Sequence, residues 1–371
     1  MSATIDRSGW KRVRLGDVCK PCRGVRVVRS QLSQGRYLVY QNSLIPLGHY
    51  DKCNTPANTT FLIAAGSAGE IGYCDEPFWA ADDCFFLLPN QDVISKFLYY
   101  SLAAQQQHIS GLVRRGSVPR LARDIVGNLV LTLPDMAEQE KIVRSLTAID
   151  INISTIQSLV AKYEAIKKAT VNLLLEPKSY WRIVPLGEIC EVCSTRRVHE
   201  SDWTDSGVPF YRARELVALN EGRSITPLYI SEKLYNELIA SSGAIRPGDL
   251  LVTGVGSIGV PYLVKENDRF YFKDGNIIWF KNRGEIWPDY FLHAFRSDHI
   301  QKQIMEMACV GTVGSYTITN GKRTLIALPP LDEQKCIVAI LDSIDGTITG
   351  LKSQLAKAQD IKQGMMSYFF G

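Results

Sequence analysis

Apolar residues recur at alternating spacings of four and three in two long segments of the chain. The positions are Ile142, Leu146, Ile149, Ile153, Ile156 and Val160 in the first segment, and Ile337, Leu341, Ile344, Ile348, Leu351 and Leu355 in the second. Each series later meets a lysine, Lys167 or Lys362, before it continues. Heptad spacing places one apolar stripe along a helix, and two such helices bury their stripes against each other. The pattern predicts a paired coiled coil; the alternative is an ordinary surface helix on each domain.

Each of these segments follows a proline and carries an acidic residue and a glutamine near its start. Asp135 and Glu138 have the spacing of a capping box in the first copy. The pairs Glu138–Gln139 and Glu333–Gln334 therefore have two interpretations. The glutamates cap their helices, or these polar ends seat against a globular domain or a partner subunit.

The regions before each helix have a different pattern. Short β-rich runs such as TTFLIAA, CFFLL, DLLVT and NIIWF are separated by glycine clusters and by shorter helical stretches. We predict α+β domains with a curved, mainly antiparallel sheet plus short helices. The expected order is a globular domain at 1–134, a long helix at 135–177, a second globular domain at 178–330 and a second long helix at 331–371.

The two halves are copies of one another. WKRVRLGDVC at 10–19 recurs 171 residues later as WRIVPLGEIC, and Tyr40 corresponds to Tyr211 at the same offset. LPDMAEQEKIV at 133–143 returns as LPPLDEQKCIV at an offset of 195. The second globular unit is therefore about two dozen residues longer, mostly in its first half. Because the repeat spans both halves of the chain, it predicts that the two halves share one architecture.

Composition and charge say little about the partner of the protein and more about its cellular compartment. The net charge is +4, and residues 1–134 carry 15 Lys+Arg against 10 Asp+Glu, compared with 18 against 17 in 178–330. This bias allows a polyanionic partner without requiring one. No apolar run approaches the roughly 20 residues of a membrane span, and the N-terminus lacks a signal-peptide core, so we expect a cytoplasmic protein. Nine scattered cysteines indicate reduced thiols.

The repeated motifs resemble one known family. The WxxxxLG[DE][VI]C openings, the glycine loops GSAGEIG at 66–72 and GVGSIG at 254–259, and above all LPxxxEQxxIVxxLxxID at 133–150 and 328–345 are similar to the specificity subunit of type I restriction-modification systems. The resemblance spans nearly the whole chain. It implies that each globular half is a target recognition domain for one half of a split DNA site.

Further expectations follow from the resemblance alone. The two long helices would be an antiparallel spacer that also docks two methyltransferase subunits, and restriction subunits can join such a complex. The chain itself would bind double-stranded DNA and catalyse nothing. S-adenosylmethionine, ATP and Mg would belong to the partner subunits. Methylation, and endonuclease activity where a nuclease is present, would come from those partners.

Base reading needs side chains with paired donors or acceptors, whereas phosphate contacts only fix position. Such residues occur in both halves, and they differ between the halves although the framework matches. A solvated charged surface is the alternative for each. The candidates are Arg23, Arg26, Arg29, Gln41, Asn42, Ser67, Arg114, Arg115 and Arg120 in the first half, and Arg196, Arg197, Arg212, Arg214, Ser257, Lys322 and Arg323 in the second.

Other chemistries fit less well. GVGSIG matches GxGxxG, but Val260, Pro261 and Tyr262 predict a following strand where a dinucleotide site needs a helix. CKPC at 19–22 and CEVC at 190–193 would need two more zinc ligands each, and small buried residues explain them better. A phosphate loop of the GxxxxGK[ST] type is absent from the sequence. A stand-alone enzyme that binds a nucleotide cofactor and a coiled-coil interaction connector remain the competing hypotheses.

Overall fold

The computed structural model describes residues 7, 9–308 and 314–371. The chain divides into two compact units, one made of residues 1–158 with 351–371 and the other of residues 159–350. Each unit therefore combines one globular region with a segment of each long helix.

The globular region of the first unit is built on antiparallel strands. A four-stranded sheet has the order β2-β8-β5-β6, and a three-stranded sheet has the order β4-β3-β7 with β3 and β7 parallel. β5 is buried at every position, as expected for a continuous apolar run at the centre of a sheet. The elements are β1 (Lys11–Arg14), α1 (Leu15–Val18), β2 (Cys19–Arg23), β3 (Tyr37–Tyr40), β4 (Gly48–Tyr50), β5 (Thr59–Ile63), β6 (Ile71–Cys74), β7 (Trp79–Ala80), β8 (Cys84–Pro89), α2 (Ser95–Ala104), α3 (Gln106–Gly111), α4 (Arg123–Gly127) and β9 (Val130–Leu133).

After α5 (Met136–Leu174), the first long helix, the second globular region repeats this plan with insertions. Its four-stranded antiparallel sheet has the order β11-β18-β15-β16, and its other sheet has the order β12-β14-β13-β17 with β13 and β17 parallel. The elements are β10 (Arg182–Pro185), α6 (Leu186–Ile189), β11 (Cys190–Cys193), β12 (Trp203–Thr204), β13 (Val208–Tyr211), α7 (Ala213–Asn220), β14 (Leu228–Ile230), α8 (Glu232–Ser242), β15 (Leu250–Thr253), β16 (Pro261–Leu263), β17 (Tyr271–Phe272), β18 (Ile277–Asn282), α9 (Pro288–Arg296), α10 (Asp298–Ala308), α11 (Ile318–Arg323), β19 (Leu325–Leu328) and the second long helix, α12 (Leu331–Phe370).

The strands that flank each globular region pair with each other and bring its two ends together. Lys11 pairs with Leu133 in β1 and β9, and Arg182 pairs with Leu328 in β10 and β19. These partners are related by the same offsets of 171 and 195 residues that relate the two sequence copies. Each long helix thus leaves its domain beside the strand with which that domain began. The expected α+β fold with mainly antiparallel sheets is confirmed.

Most of the extra length of the second copy lies between the equivalent tyrosines and the glycine loops. The offset between copies rises from 171 at Tyr211 to 190 at Ser257. α7 and α8 occupy this stretch. Ser231 caps α8 by accepting from the amide of Leu234 at 3.2 Å, and Gly243 ends it with φ +81°. The insertion is therefore ordered structure attached to an unchanged framework.

The two long helices have 39 and 40 residues, and their heptad positions face inward. Every one of the twelve positions named from the pattern is buried or half-buried. In the first unit Ile142 and Leu146 join a core that also contacts Met365 and Phe369 from the end of α12. In the second unit the start of α12 shares a core with the end of α5. Within each unit, the start of one long helix therefore packs with the end of the other.

The lysine interruptions of the heptad pattern have a partner in each unit. Lys362 Nζ lies 2.6 Å from Asp150 Oδ1 in the first unit, and Lys167 Nζ lies 2.5 Å from Asp345 Oδ1 in the second. Both members of the second pair are 195 residues from their counterparts in the first. The lysines therefore tie the helix segments of each unit together at equivalent positions.

Candidate nucleic-acid interface

The glycine loops form the same turn in both domains. Gly66 and Gly69 both have φ +87°, and Gly256 and Gly259 have φ +70° and +81°. These conformations suit glycine because it has no Cβ. The amide of Gly69 donates to Ile63 O at 2.8 Å, and the amide of Gly259 donates to Thr253 O at 2.8 Å. A strand, β16, follows the second turn, in agreement with the rejection of a dinucleotide-binding fingerprint.

A glutamine from a neighbouring helix holds each turn. Gln106 Nε2 donates to Gly69 O at 2.8 Å, and Gln301 Nε2 donates to Gly259 O at 2.9 Å. The two glutamines are 195 residues apart, so they are equivalent in the repeat. Sequence inspection missed both, although a search for identical residues between the copies would have found them. Ser67 and Ser257 lie within these turns and have hydrogen-bonded backbone groups of their own.

In the first domain the turn connects two of the segments proposed to read bases. The amide of Ser67 donates to Asn42 O at 2.9 Å, and the amide of Gly66 donates to Pro119 O at 3.2 Å. A Cβ on Gly66 would lie 2.6 Å from Asn42 O, so this close approach also requires glycine. Gln41 and Asn42 therefore lie next to the turn and next to the arginine-rich segment that ends at Arg120.

Three of the proposed arginines line one cavity of about 520 Å³ in the first domain. Arg114 and Arg120 exchange backbone hydrogen bonds, at 2.9 and 3.1 Å, and Arg23 Nε donates to Asp82 O at 2.8 Å. Arg123, which the sequence analysis did not single out, lines the same cavity. Asp82 Oδ1 is buried and has no hydrogen-bond partner among the described residues. The cavity thus combines several cations with an uncompensated acceptor.

The second domain has a cavity of about 720 Å³ beside its own turn. Its lining includes Ser257 and Gly256 from the turn, Arg214 from α7, and Arg223. Arg223 was missed because it stands alone in the sequence, and only the path of the inserted segment brings it to the cavity that Ser257 also lines. Both domains therefore have basic side chains beside the same glycine turn, on different local structures.

Acidic side chains pair with four of the arginines named for the second domain, which are Arg197, Arg212, Arg214 and Arg223, the last of them with Glu221. Arg212 Nη2 donates to Glu215 Oε1 at 2.8 Å, and Arg214 Nε donates to the same oxygen at 2.6 Å. Burial raises the pKa of Glu215, but the hydrogen bonds from the two arginines outweigh it and leave the pKa below its ordinary value. Arg197 Nε lies 3.2 Å from Asp274 Oδ2. Arg214 is 71% exposed and Arg212 only 23%, so Arg214 has the more accessible guanidinium.

The remaining candidates are all exposed. Arg26, Arg29 and Arg115 lie in the first domain, and Arg196 lies in the second. Lys322 and Arg323 are the last residues of α11. A Cβ added to Gly187, near the start of the domain, would lie 3.1 Å from the Cβ of Lys322. These two residues therefore lie beside α6, and the residues that contact the glycine turn belong to other segments.

The EQ motifs join each long helix to its own domain. In the first unit Asp135 Oδ1 accepts from the amide of Glu138 at 2.9 Å, as a helix cap does. The Glu138 carboxylate, however, accepts from Trp10 Nε1 at 3.0 Å, so only half of the expected capping box forms. Gln139 is fully buried, accepts from the amide of Ile94 at 2.9 Å and donates to two carbonyls.

The second unit repeats this arrangement. Trp181 Nε1 donates to Glu333 Oε2 at 3.1 Å, and Gln334 Oε1 accepts from the amide of Trp287 at 2.7 Å. Glu333 also accepts from Lys178 Nζ and from Tyr180 OH. The Lys178 contact holds the pKa of Glu333 below its ordinary value. The glutamines are 0% and 1% exposed, so they contact their own domains and have no surface left for a partner subunit.

The first cysteine of each CxxC motif is buried, and the second, Cys22 or Cys193, is half-buried. Burial raises the pKa of Cys19 to about 12 and that of Cys190 to about 12, which disfavours the thiolate needed for metal binding or redox chemistry. Among the residues described, no group of three or more His, Cys, Asp and Glu side chains is placed to hold a metal ion. No helix in the described ranges has the length and apolarity to cross a bilayer.

Comparison with known proteins identifies the family to which the chain belongs. The family model of the type I restriction modification DNA specificity domain matches twice, at residues 7–165 and 178–359. The chain belongs to this family of DNA specificity subunits.

Individual relatives agree with this assignment. The chain is 23% identical to the type I restriction enzyme MjaVIII specificity subunit of Methanocaldococcus jannaschii, over 96% of this chain and 91% of that protein. It is 24% identical to a putative type I restriction enzyme specificity subunit of Haemophilus influenzae, S.HindORF215P, over 79% and 75%. The fold is similar to the type I restriction-modification S subunit of M. genitalium, with a TM-score of 0.69 and 17% identity over 98% and 96% of the two chains.

Proposed function

We propose that this specificity subunit reads a bipartite, asymmetric DNA sequence, with one half-site for each domain. The observation that carries the proposal is the repeated glycine turn, which lies beside a different set of basic side chains in each domain. A shared turn suits the sugar-phosphate backbone, because that backbone is the same whatever the base sequence. Different neighbouring side chains suit two different sets of base edges. Residues 1–134 would read one half-site and residues 178–330 the other.

The candidates fall into three groups under this proposal, which contact phosphates, contact base edges or position another side chain. Ser67 and Ser257 would contact phosphates. Base edges would meet the cavity residues and their neighbours, which are Arg23, Gln41, Asn42, Arg114 and Arg120 in the first domain and Arg214 in the second, joined by Arg223. The exposed Arg26, Arg29, Arg115, Arg196, Arg197, Lys322 and Arg323 would add phosphate contacts, and Arg212 would position Glu215.

The rest of the function depends on partner subunits. The two long helices would fix the gap between half-sites and dock two methyltransferase subunits, with a restriction subunit as a further partner. S-adenosylmethionine, ATP and Mg would bind to those partners, and this chain would perform no chemistry. A helix of 39 residues is about 58 Å long at 1.5 Å per residue, longer than the roughly 34 Å turn of DNA that separates successive major-groove faces.

The test is reconstitution. The chain would be purified alone and together with its methyltransferase subunit, and methylated positions would be mapped on random-sequence DNA. We expect sequence-specific methylation only when both proteins are present, at sites of two fixed half-sites separated by a gap of constant length. Sequence-specific methylation by the chain alone, or a recognition site without two halves, would contradict the proposal.

Salt dependence and spacer length separate this function from the competing ones. Affinity of the complex should fall steeply with salt, because phosphate contacts release counterions. Insertion or deletion of a few residues in 150–170 should change the gap or abolish binding, while the half-site sequences stay the same. A stand-alone nucleotide enzyme would instead bind its cofactor, and a purely structural connector would show neither effect.

A further inference from the structure

The EQ motifs are the most specific repeated feature of the sequence, and DNA reading by the domains does not account for them. We propose that they are joints that hold each recognition domain at one angle to its long helix, and that this angle sets how strictly the gap between half-sites is discriminated. The inference rests on the proposed bipartite function. It assigns a positioning role to Trp10, Glu138 and Gln139, and to Trp181, Glu333 and Gln334.

The connection from domain to helix is only two residues long in each unit. In the first unit β9 ends at Leu133 and α5 begins at Met136, so Pro134 and Asp135 alone connect them. The ring of Pro134 fixes its φ, and the remaining dihedral angles of the link set the direction of the helix. The second unit has the same arrangement, with Pro329 and Pro330 between β19 and α12. A few residues at the end of an element are enough for a hinge, and the ψ angles of these links are not fixed by the proline rings.

Side chains fix both sides of the link. Glu138 accepts from Trp10 Nε1, and Trp10 immediately precedes β1, the strand paired with β9. On the other side, Gln139 accepts from Ile94, the N-cap residue of α2, and donates to Pro134 O in the linker at 3.0 Å. One turn of the helix therefore contacts the residue before the first strand, the linker and the start of a domain helix.

The second joint repeats these contacts at equivalent points. Gln334 accepts from Trp287, the N-cap residue of α9, and donates to Pro329 O at 3.0 Å. Both glutamines are buried with satisfied hydrogen bonds, and a buried polar group of this kind makes competing geometries costly because they would leave it unpaired. The repetition of all three contacts in two divergent domains indicates a shared mechanical role rather than a base-specific one.

The lever length makes the angle important. A rotation of about 5° at the joint would displace a point about 58 Å along the helix by roughly 5 Å. One base pair adds only about 3.4 Å along the duplex. A small loss of stiffness at the joint would therefore allow a gap one base pair too long or too short. Affinity for the native gap would change less than the preference for it.

The experiment measures gap preference in the complex with the methyltransferase subunit. Once the recognition site is mapped, dissociation constants would be determined for duplexes with the native gap and with gaps one base pair shorter and longer. The variants of the first joint are Trp10→Phe, which keeps an aromatic ring but removes Nε1, and Gln139→Ala. Glu138→Gln keeps an acceptor oxygen and tests rescue. The matched control is Glu140→Ala, an exposed neighbour on the same helix turn.

We expect Trp10→Phe to lower the preference for the native gap about fivefold and Gln139→Ala about tenfold, since they remove one and several hydrogen bonds. Glu138→Gln and Glu140→Ala should keep the preference of the unmodified complex. Trp181→Phe should have a smaller effect, because Lys178 and Tyr180 also hold Glu333. Half-site sequences should not change in any variant.

The outcomes distinguish this inference from the function on which it rests. If the unmodified complex shows no bipartite site, the proposed function fails. If it does, and Trp10→Phe weakens binding to all three gaps by one common factor, the joints are only structural and the inference is wrong. Thermal unfolding of each variant identifies loss of folding. Should Gln139→Ala not fold, Trp10→Phe and Trp181→Phe decide the question.

Discussion

The two domains are alike in their glycine turns and unlike in the segments beside those turns. The turns share their glycine conformations, their closing hydrogen bonds and their glutamine contacts. The segment after Tyr40 is a loop that leads to β4, whereas the segment after Tyr211 continues into α7. The frame that would meet the DNA backbone has thus been retained, while the neighbouring surface has been rebuilt. Comparison of the halves separates these roles within one chain.

The largest expected effect tests whether the cores that surround the two long helices are equivalent. Leu146 and Leu341 are 195 residues apart, and both are completely buried in their units. Leu146→Ala and Leu341→Ala should each lower the free energy of unfolding by about 2–5 kcal/mol, because each leaves a cavity in the core. Urea denaturation measures this, with exposed Ile151→Ala as the control. Values that differ by more than the width of that range would show that the helix packing is not equivalent.

The next effect concerns the rebuilt surfaces. The double variant Arg114→Ala with Arg120→Ala should relax only the first half-site, and Arg214→Ala with Arg223→Ala only the second. Each lost base contact costs about 1–3 kcal/mol of discrimination. Methylation mapping with the reconstituted complex measures the preference at every position. Arg36→Ala, an exposed arginine paired with Glu76, is the control. Relaxation of the opposite half-site would refute the assignment of cavities to half-sites.

A smaller effect tests the shared part of the frame. Gln106→Ala and Gln301→Ala each remove a hydrogen bond to a turn carbonyl, so affinity should fall by about 0.5–1.5 kcal/mol without a change in sequence preference. Binding measured over a series of salt concentrations would detect a lost phosphate contact as a shallower slope. Gln107→Ala, exposed on the same helix, should have no effect. A change in the bases selected would mean that the turns take part in base reading.

The smallest effect is that of the two ion pairs between long-helix segments. All four side chains of the pairs Lys167–Asp345 and Lys362–Asp150 are about one-third exposed. Partly exposed pairs contribute about 0.2–1 kcal/mol, which falls as salt screens the charges. Double-mutant cycles in each unit, measured by urea denaturation at low and high salt, should give similar coupling energies. A coupling well above this range in one unit would show that its pair does more than the other.

The amino-acid sequence by itself determined the long-range order of this protein. Heptad spacing depends only on the helical period, and the 171- and 195-residue offsets depend only on residue identity, so the helices, the repeat and the α+β domains could be predicted without coordinates. The paired glycines identified the turns because few other residues adopt positive φ.

Only the tertiary structure decided which of the polar residues meet. Lys167 and Asp345 are far apart in the chain, and Arg223 shares a cavity with Ser257 only through the path of an insertion. Glu138 accepts from Trp10 rather than completing a cap. Hydrogen bonds and ion pairs act over a few ångströms between side chains with many rotamers, and no sequence period encodes them. Their partners are fixed once packing has brought distant segments together.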